Sequence, residues 1–164
     1  MNDVAADAGV TKPVLYQHFS SKRDLYKAVL EDVGDRLRTN VILAAASADT
    51  PRGQVKTGLT AYMTFVEDDP DGFRVLFTGA SREDEEWAQI AANVERSVAN
   101  GIADLIAVEG MSDSHRQALA HGVVGLAEGM VRFWQNDHNA SLDRDELVND
   151  LIDLAWGGLR GLAA

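Results

Sequence analysis

Residues 3–30 read DVAADAGVTKPVLYQHFSSKRDLYKAVL, a succession of three short helical segments. An Ala-rich segment from Asp3 to Ala8 stops at Gly9, a residue free to enter the backbone conformations a tight turn requires. Thr11 suits the cap of a second helix, and Pro13 is tolerated in a first helical turn. Leu15 and Phe19 stand four residues apart and share one face of that helix, leaving Lys12, Pro13, Tyr16 and Gln17 on the other side. Ser21 followed by Asp24 resembles a capping box. It opens a third helix whose apolar positions, Leu25, Tyr26, Val29, Leu30, Val33 and Leu37, recur at the helical period. Ala5 and Ala8 are small enough for close approach, and Val10 is placed to fill the elbow. A short helix, a turn with glycine and a second helix with one packing face and one free face make a helix-turn-helix, which sets its second helix in the major groove of DNA. Leu15, Phe19, Leu25 and Val29 are read as core.

Working outward, the chain reads as helices throughout. Its three prolines, at 13, 51 and 70, each sit where a helix can begin, and no sustained alternation of period two is bounded by turns. The third helix is expected to continue into Ala46. Thr50-Pro51 starts a fourth, Asp69-Pro70-Asp71-Gly72 marks a turn or helix start, and Phe73 to Phe77 forms a short apolar helix. Ser81 with Asp84 opens a long helix expected to reach about Val108, ended by Glu109-Gly110. Two final helices run from about Asp113 to Gln135 and from about Leu142 to Leu162, joined by the polar residues 136–141. The fold class is therefore all-α, with a helix-turn-helix over residues 1–36 and a larger helical domain over 37–164.

The composition narrows the function. The chain has 164 residues, of which 46% are hydrophobic and 25% charged, the balance of a soluble globular protein with a real core. No apolar run approaches the roughly 18 residues of a membrane helix, and the start of the chain lacks the pattern of a signal peptide. Cysteine is absent, which excludes disulfides and thiolate metal sites and fits a cytoplasmic location. The net charge of -11 is unevenly spread: residues 1–40 hold six acids and six bases, so the acidic excess lies wholly in the remainder. A locally positive head over residues 12–27 on an acidic body can meet phosphate head-first, although uneven surface charge alone has the same pattern. There is no glycine-rich phosphate loop, HExxH or nucleophile elbow, and His18, His115, His121 and His138 fall at no ligand spacing. Glu83 to Glu86 reads as a solvated acidic face at a helix start. No catalytic residue, metal or cofactor is expected.

Residues 3–30 resemble the TetR family of bacterial transcriptional regulators almost position by position, including the aromatic and His-Phe end of the second helix and the Ser-Lys opening of the third. The resemblance implies a DNA-binding regulator, usually a repressor released from a palindromic operator by a small hydrophobic effector. It places Thr11 and Lys12 on phosphate or a base edge, and Pro13 and Val14 against a thymine methyl. Tyr16 and His18 would lie on the phosphate backbone, Gln17 on a base or phosphate, and Lys22 on phosphate at a helix start. Tyr16 also suits partial packing, and His18 also suits a helix C-terminus.

In the family the last two helices of each subunit form a four-helix interface. The expected dimer residues are Gly122, Leu126, Gly129, Phe133, Leu151, Leu154, Ala155, Trp156 and Leu159, with an intrachain core as the alternative. Gly122, Gly125 and Gly129 share a helix face that permits close approach. An effector pocket is expected among the middle helices, from Tyr62, Met63, Phe65, Val66, Phe73, Phe77, Trp87, Ile90, Val94, His121, Val124 and Glu128, although aromatics at this spacing also suit plain core. Family members carry a further helix before the position of Val4, so weak or absent DNA binding is expected of a chain lacking it. The alternative function is a DNA-independent helical dimer that binds a ligand or protein partner.

Overall fold

Eight helices and no strand account for the regular structure among the described residues, 1–77, 85–136 and 142–161, of this computed structural model. They are α1 (Asn2–Asp7), α2 (Lys12–His18), α3 (Lys22–Ala46), α4 (Pro51–Asp68), α5 (Pro70–Phe77), α6 (Glu85–Ala103), α7 (Asp113–Asn136) and α8 (Arg144–Arg160). Local chemistry sets most of the starts. Gly9 takes φ +66° in the turn between α1 and α2. The Ser21 hydroxyl accepts the Asp24 N–H at 3.0 Å and caps α3, and the Thr50 hydroxyl accepts the Gly53 N–H at 3.1 Å ahead of Pro51. Asp69 does the same for Gly72 at the head of α5, at 2.8 Å. The Asp143 carboxylate takes both Asp145 and Glu146 N–H groups and opens α8. Thr11 holds the extended backbone of a cap but makes no side-chain cap bond.

α3 is the spine. It packs along α4 and α6 and also touches α5; α8 lies on α4, and α7 on α6 and α8. The core between them holds Leu30, Leu37, Met63, Val66, Phe73, Leu76, Val131 and Leu151, all nearly or fully buried. Two glycines set the close approach of α3 to α6. A methyl group on Gly34 would collide with Val94, and one on Gly101 would come within 2.6 Å of Ile42 Cδ1.

Two sequence expectations change. α6 ends at Ala103, short of Val108, because Leu105 and Ile106 N–H groups bond the carbonyls three residues back, at 3.0 and 3.1 Å, tightening the chain into turns. Val10 and Val29, expected inside, are 40% exposed. Val29 lies about 100° around α3 from Leu30, off the stripe of Leu30, Val33 and Leu37 that α4 and α6 cover. As expected from its reach to Ala46, α3 runs through the boundary placed between residues 36 and 37, so head and body share one continuous helix. The expected helix start at Ser81 and Asp84, and the linker 137–141, lie outside the described residues.

Candidate nucleic-acid interface and effector cavity

α1 and α2 pack on each other through small and apolar residues. Ala5 and Leu15 are buried, and Phe19 is half-buried behind them. That anchoring turns the rest of α2 outward. Thr11, Lys12, Pro13, Val14, Tyr16, Gln17, His18 and Lys22 are all exposed. Lys12 and Tyr16, one turn apart, form a cation–π pair, with the ammonium 6.0 Å from the ring centroid. Among the described residues neither Lys12 nor Lys22 joins an ion pair. The outward side of α2 thus offers cations, hydrogen-bonding groups and a small apolar strip, the mixture needed for phosphates, base edges and a thymine methyl.

Immediately behind this surface the first turn of α3 is tied to the first turn of α6. The Arg23 guanidinium donates to the Glu86 carboxylate, Nε–Oε2 2.6 Å, and lies 4.8 Å from the Trp87 ring. Tyr26 meets the same indole edge-on, with centroids 4.6 Å apart. Glu86, read from sequence as part of a solvated face, is exposed yet engaged, and Trp87 belongs to this junction. The sequence signal was a base and an acid at two helix starts, which does not reveal that the two meet.

A cavity of about 210 Å3 opens between α3, α4, α6, α7, α8 and the turns after α6. Of the residues expected to line it, Tyr62, Phe77, Val124 and Glu128 do so. Met63, Phe65, Val66, Phe73, Trp87 and Ile90 are buried in the packed core, and Val94 fills the space beside Gly34. His121 is exposed, with its ring Nδ1 2.8 Å from the Gln117 carbonyl oxygen. The walls are instead mostly aliphatic: Leu37 and Val41 from α3, Val55 and Leu59 from α4, Val98 and Ile102 from α6, then Leu105, Val108 and Met111. Such residues look the same in a sequence whether they face a neighbour or a void.

The polar wall residues are few. Glu128 is buried and pairs with Arg132 at 3.1 Å. The Tyr62 hydroxyl is buried without a hydrogen-bond partner among the described residues. Burial, followed by the negative charge of Glu128 and Glu95, pushes its ionisation far above the ordinary phenol value, with Arg132 opposing. The hydroxyl is a neutral donor at any ordinary pH.

The residues expected to pair two subunits divide. Leu151 and Ala155 are buried within the chain's own core, a correction that follows from α8 lying on α4. Leu126 is half-buried against the same core, and Trp156 and Leu159 line the cavity. Phe133 and Leu154 are 51% and 58% exposed. A methyl group added at Gly122, Gly125, Gly129, Gly157 or Gly158 would meet nothing within 4 Å. No described helix is long and apolar enough to cross a membrane.

Known proteins share this organisation. Residues 51–158 match the profile of the family described as "Tetracyclin repressor-like, C-terminal domain", and residues 1–29 match "Bacterial regulatory proteins, tetR family". The HTH-type transcriptional activator FasR of Mycolicibacterium smegmatis is 33% identical over 160 residues, covering 97% of this chain and 73% of FasR. An uncharacterised HTH-type regulator of Mycobacterium tuberculosis, Rv0472c, is 28% identical over 167 residues, covering 99% and 69%. The HTH-type regulator BetI of Rhizobium meliloti is 23% identical over 133 residues, covering 79% and 64%. With an exposed outward face on α2, a helical body behind it and these relatives, the chain belongs to the TetR family of DNA-binding transcriptional regulators and is not an enzyme.

Proposed function

We propose that the protein acts as a homodimer that sets two α2 helices in successive major grooves of a near-palindromic operator, and that a small hydrophobic effector in the cavity releases it. The observation carrying this reading is the continuity of α3. One end, at Lys22, abuts the recognition helix; further along, Leu37, Val41 and Ala45 form cavity wall. α6 repeats the link, bonded to Arg23 at its start and lining the cavity through Glu95, Val98 and Ile102. A ligand that prefers one spacing of these helices over another therefore biases the position of the head, which is a population shift.

The dimer is supported by the exposed Phe133 and Leu154 beside open glycine surfaces on α7 and α8. Large exposed apolar residues next to backbone that a partner can approach closely favour self-association. Two subunits would hold their recognition helices about 34 Å apart, one turn of duplex. Repression is the sense proposed for regulation, by occlusion of a promoter; the FasR relative is named an activator, and both senses use the same operator contact. Footprinting of the DNA flanking the gene, with the protein as the cell makes it, tests this. Two protected half-sites separated by one helical turn are expected, with sedimentation showing two chains per complex. A single half-site, a monomer on DNA, or no protection would overturn the reading, the last in favour of a DNA-independent ligand-binding dimer.

A further inference from the structure

The cavity is aliphatic through its middle and polar toward both ends, with Gln54 and the cation Arg160 at one and Tyr62, Glu95 and Glu128 at the other. Gln54, Gly58 and Tyr62 follow one face of α4 along its wall, and eight residues of helix separate Gln54 from Tyr62 by about 12 Å. At the Tyr62 end stand Phe77, Glu95 and Glu128. Three charged groups act on the Tyr62 hydroxyl there, two carboxylates and the Arg132 guanidinium, so the balance is negative. The hydroxyl itself is buried, neutral and without a partner among the described residues. A buried donor left unmatched is disfavoured, and any group supplying an acceptor there removes the penalty. An anion placed at the same point would meet two carboxylates in a poorly solvated wall.

We propose that the cavity takes an elongated apolar ligand whose head group at the Tyr62 end is an uncharged oxygen, a hydroxyl or carbonyl that accepts a hydrogen bond from the Tyr62 hydroxyl, and that this end rejects a carboxylate. This rests on the reading of the cavity as the effector site. The aliphatic walls accept the chain without discrimination, and the Tyr62 end selects the head.

Calorimetric titration of the purified protein and of Arg160→Gln, which removes the cation at the far end, with decan-1-ol and with decanoate, near pH 7.5, tests it. In Arg160→Gln decan-1-ol is expected to bind about tenfold or more tighter, a discrimination of the size a buried polar contact provides. Tyr62→Phe, which removes the orphaned hydroxyl and keeps the ring, should melt at or above the parent temperature yet weaken decan-1-ol about fivefold. Glu128→Gln should narrow the gap between the two compounds by improving decanoate. Equal binding of both compounds in Arg160→Gln, or unchanged decan-1-ol affinity in Tyr62→Phe, overturns the head-group assignment while leaving the effector cavity standing. Failure of both compounds to bind overturns the two together.

Discussion

The short helix α2, proposed to meet DNA, and α4 at the centre of the body are built on opposite terms. In α2, KPVLYQH, only Leu15 is buried, and Val14 and Tyr16 are left in solvent. In α4 six residues are buried, among them Tyr62, Met63, Phe65 and Val66. A helix of seven residues is too short to be stable by itself, so α2 depends on the Leu15 anchor, its turn and the start of α3. Its outward residues contribute little to folding and are free to serve a nucleic acid. α4 has the reverse allocation: nearly every large side chain holds the body together or forms cavity wall. Substitutions should therefore separate stability from DNA binding cleanly between the two regions.

The largest effect is expected in the body. Phe73→Ala removes a fully buried ring that packs 4.8 Å from Phe77. It should cost about 3–5 kcal/mol in urea or thermal unfolding. A loss near that of a surface substitution would break the contrast.

The helix spacing gives the next effect. Gly34→Ala places a methyl into Val94 at the α3–α6 contact. Overpacking costs about 1–3 kcal/mol, and alanine returns about 1 kcal/mol of helix propensity, so a net loss of about 1 kcal/mol is expected in chemical denaturation. The same change at Gly125 on α7, where a methyl meets nothing, should raise subunit stability and, in the proposed dimer, weaken association measured by sedimentation. If both variants melt alike, the close approach is not where the geometry puts it.

A smaller effect depends on pH. The Asp69 carboxylate accepts the Gly72 N–H and lies 2.7 Å from Arg36 Nη2, and these two contacts hold its pKa below the usual carboxylate value. A depressed folded pKa means that the stabilisation is complete above the unfolded value, about 3.9, and is lost as pH falls through the lower folded value. Asp69→Asn keeps an acceptor for Gly72 and removes the charge. Its stability should fall less steeply than the parent's below about pH 4, by less than about 1 kcal/mol because Arg36 is half exposed. Parallel acid limbs for the two proteins would show that the pair contributes nothing.

What was legible in the sequence was what local chemistry decides. Gly9, the Ser21–Asp24 pair and Thr50-Pro51 announced their turns and starts because a cap or a left-handed residue acts within three or four positions. The outward set on α2 was legible because Leu15 fixed which side of a short helix turns inward. The cavity was less so. Aromatics such as Phe73 and Trp87 drew attention, yet they fill the core, while the wall is made by aliphatic residues on five helices. Leu105, Ile106 and Val108 suggested more helix; they leave it to line the cavity. Gly34 and Gly101 passed unnoticed because a close approach belongs to two segments at once, whereas the conspicuous glycines of α7 face open space.

The outward side of α2 is tested most directly by anisotropy titration of an operator duplex across a salt series, comparing the parent with Lys12→Ala. Folding stability should agree within about 0.5 kcal/mol. Parent affinity should fall linearly with salt on logarithmic axes, and the variant should bind more weakly with a slope shallower by about one. Equal affinity and slope in the two proteins would contradict a DNA-facing α2.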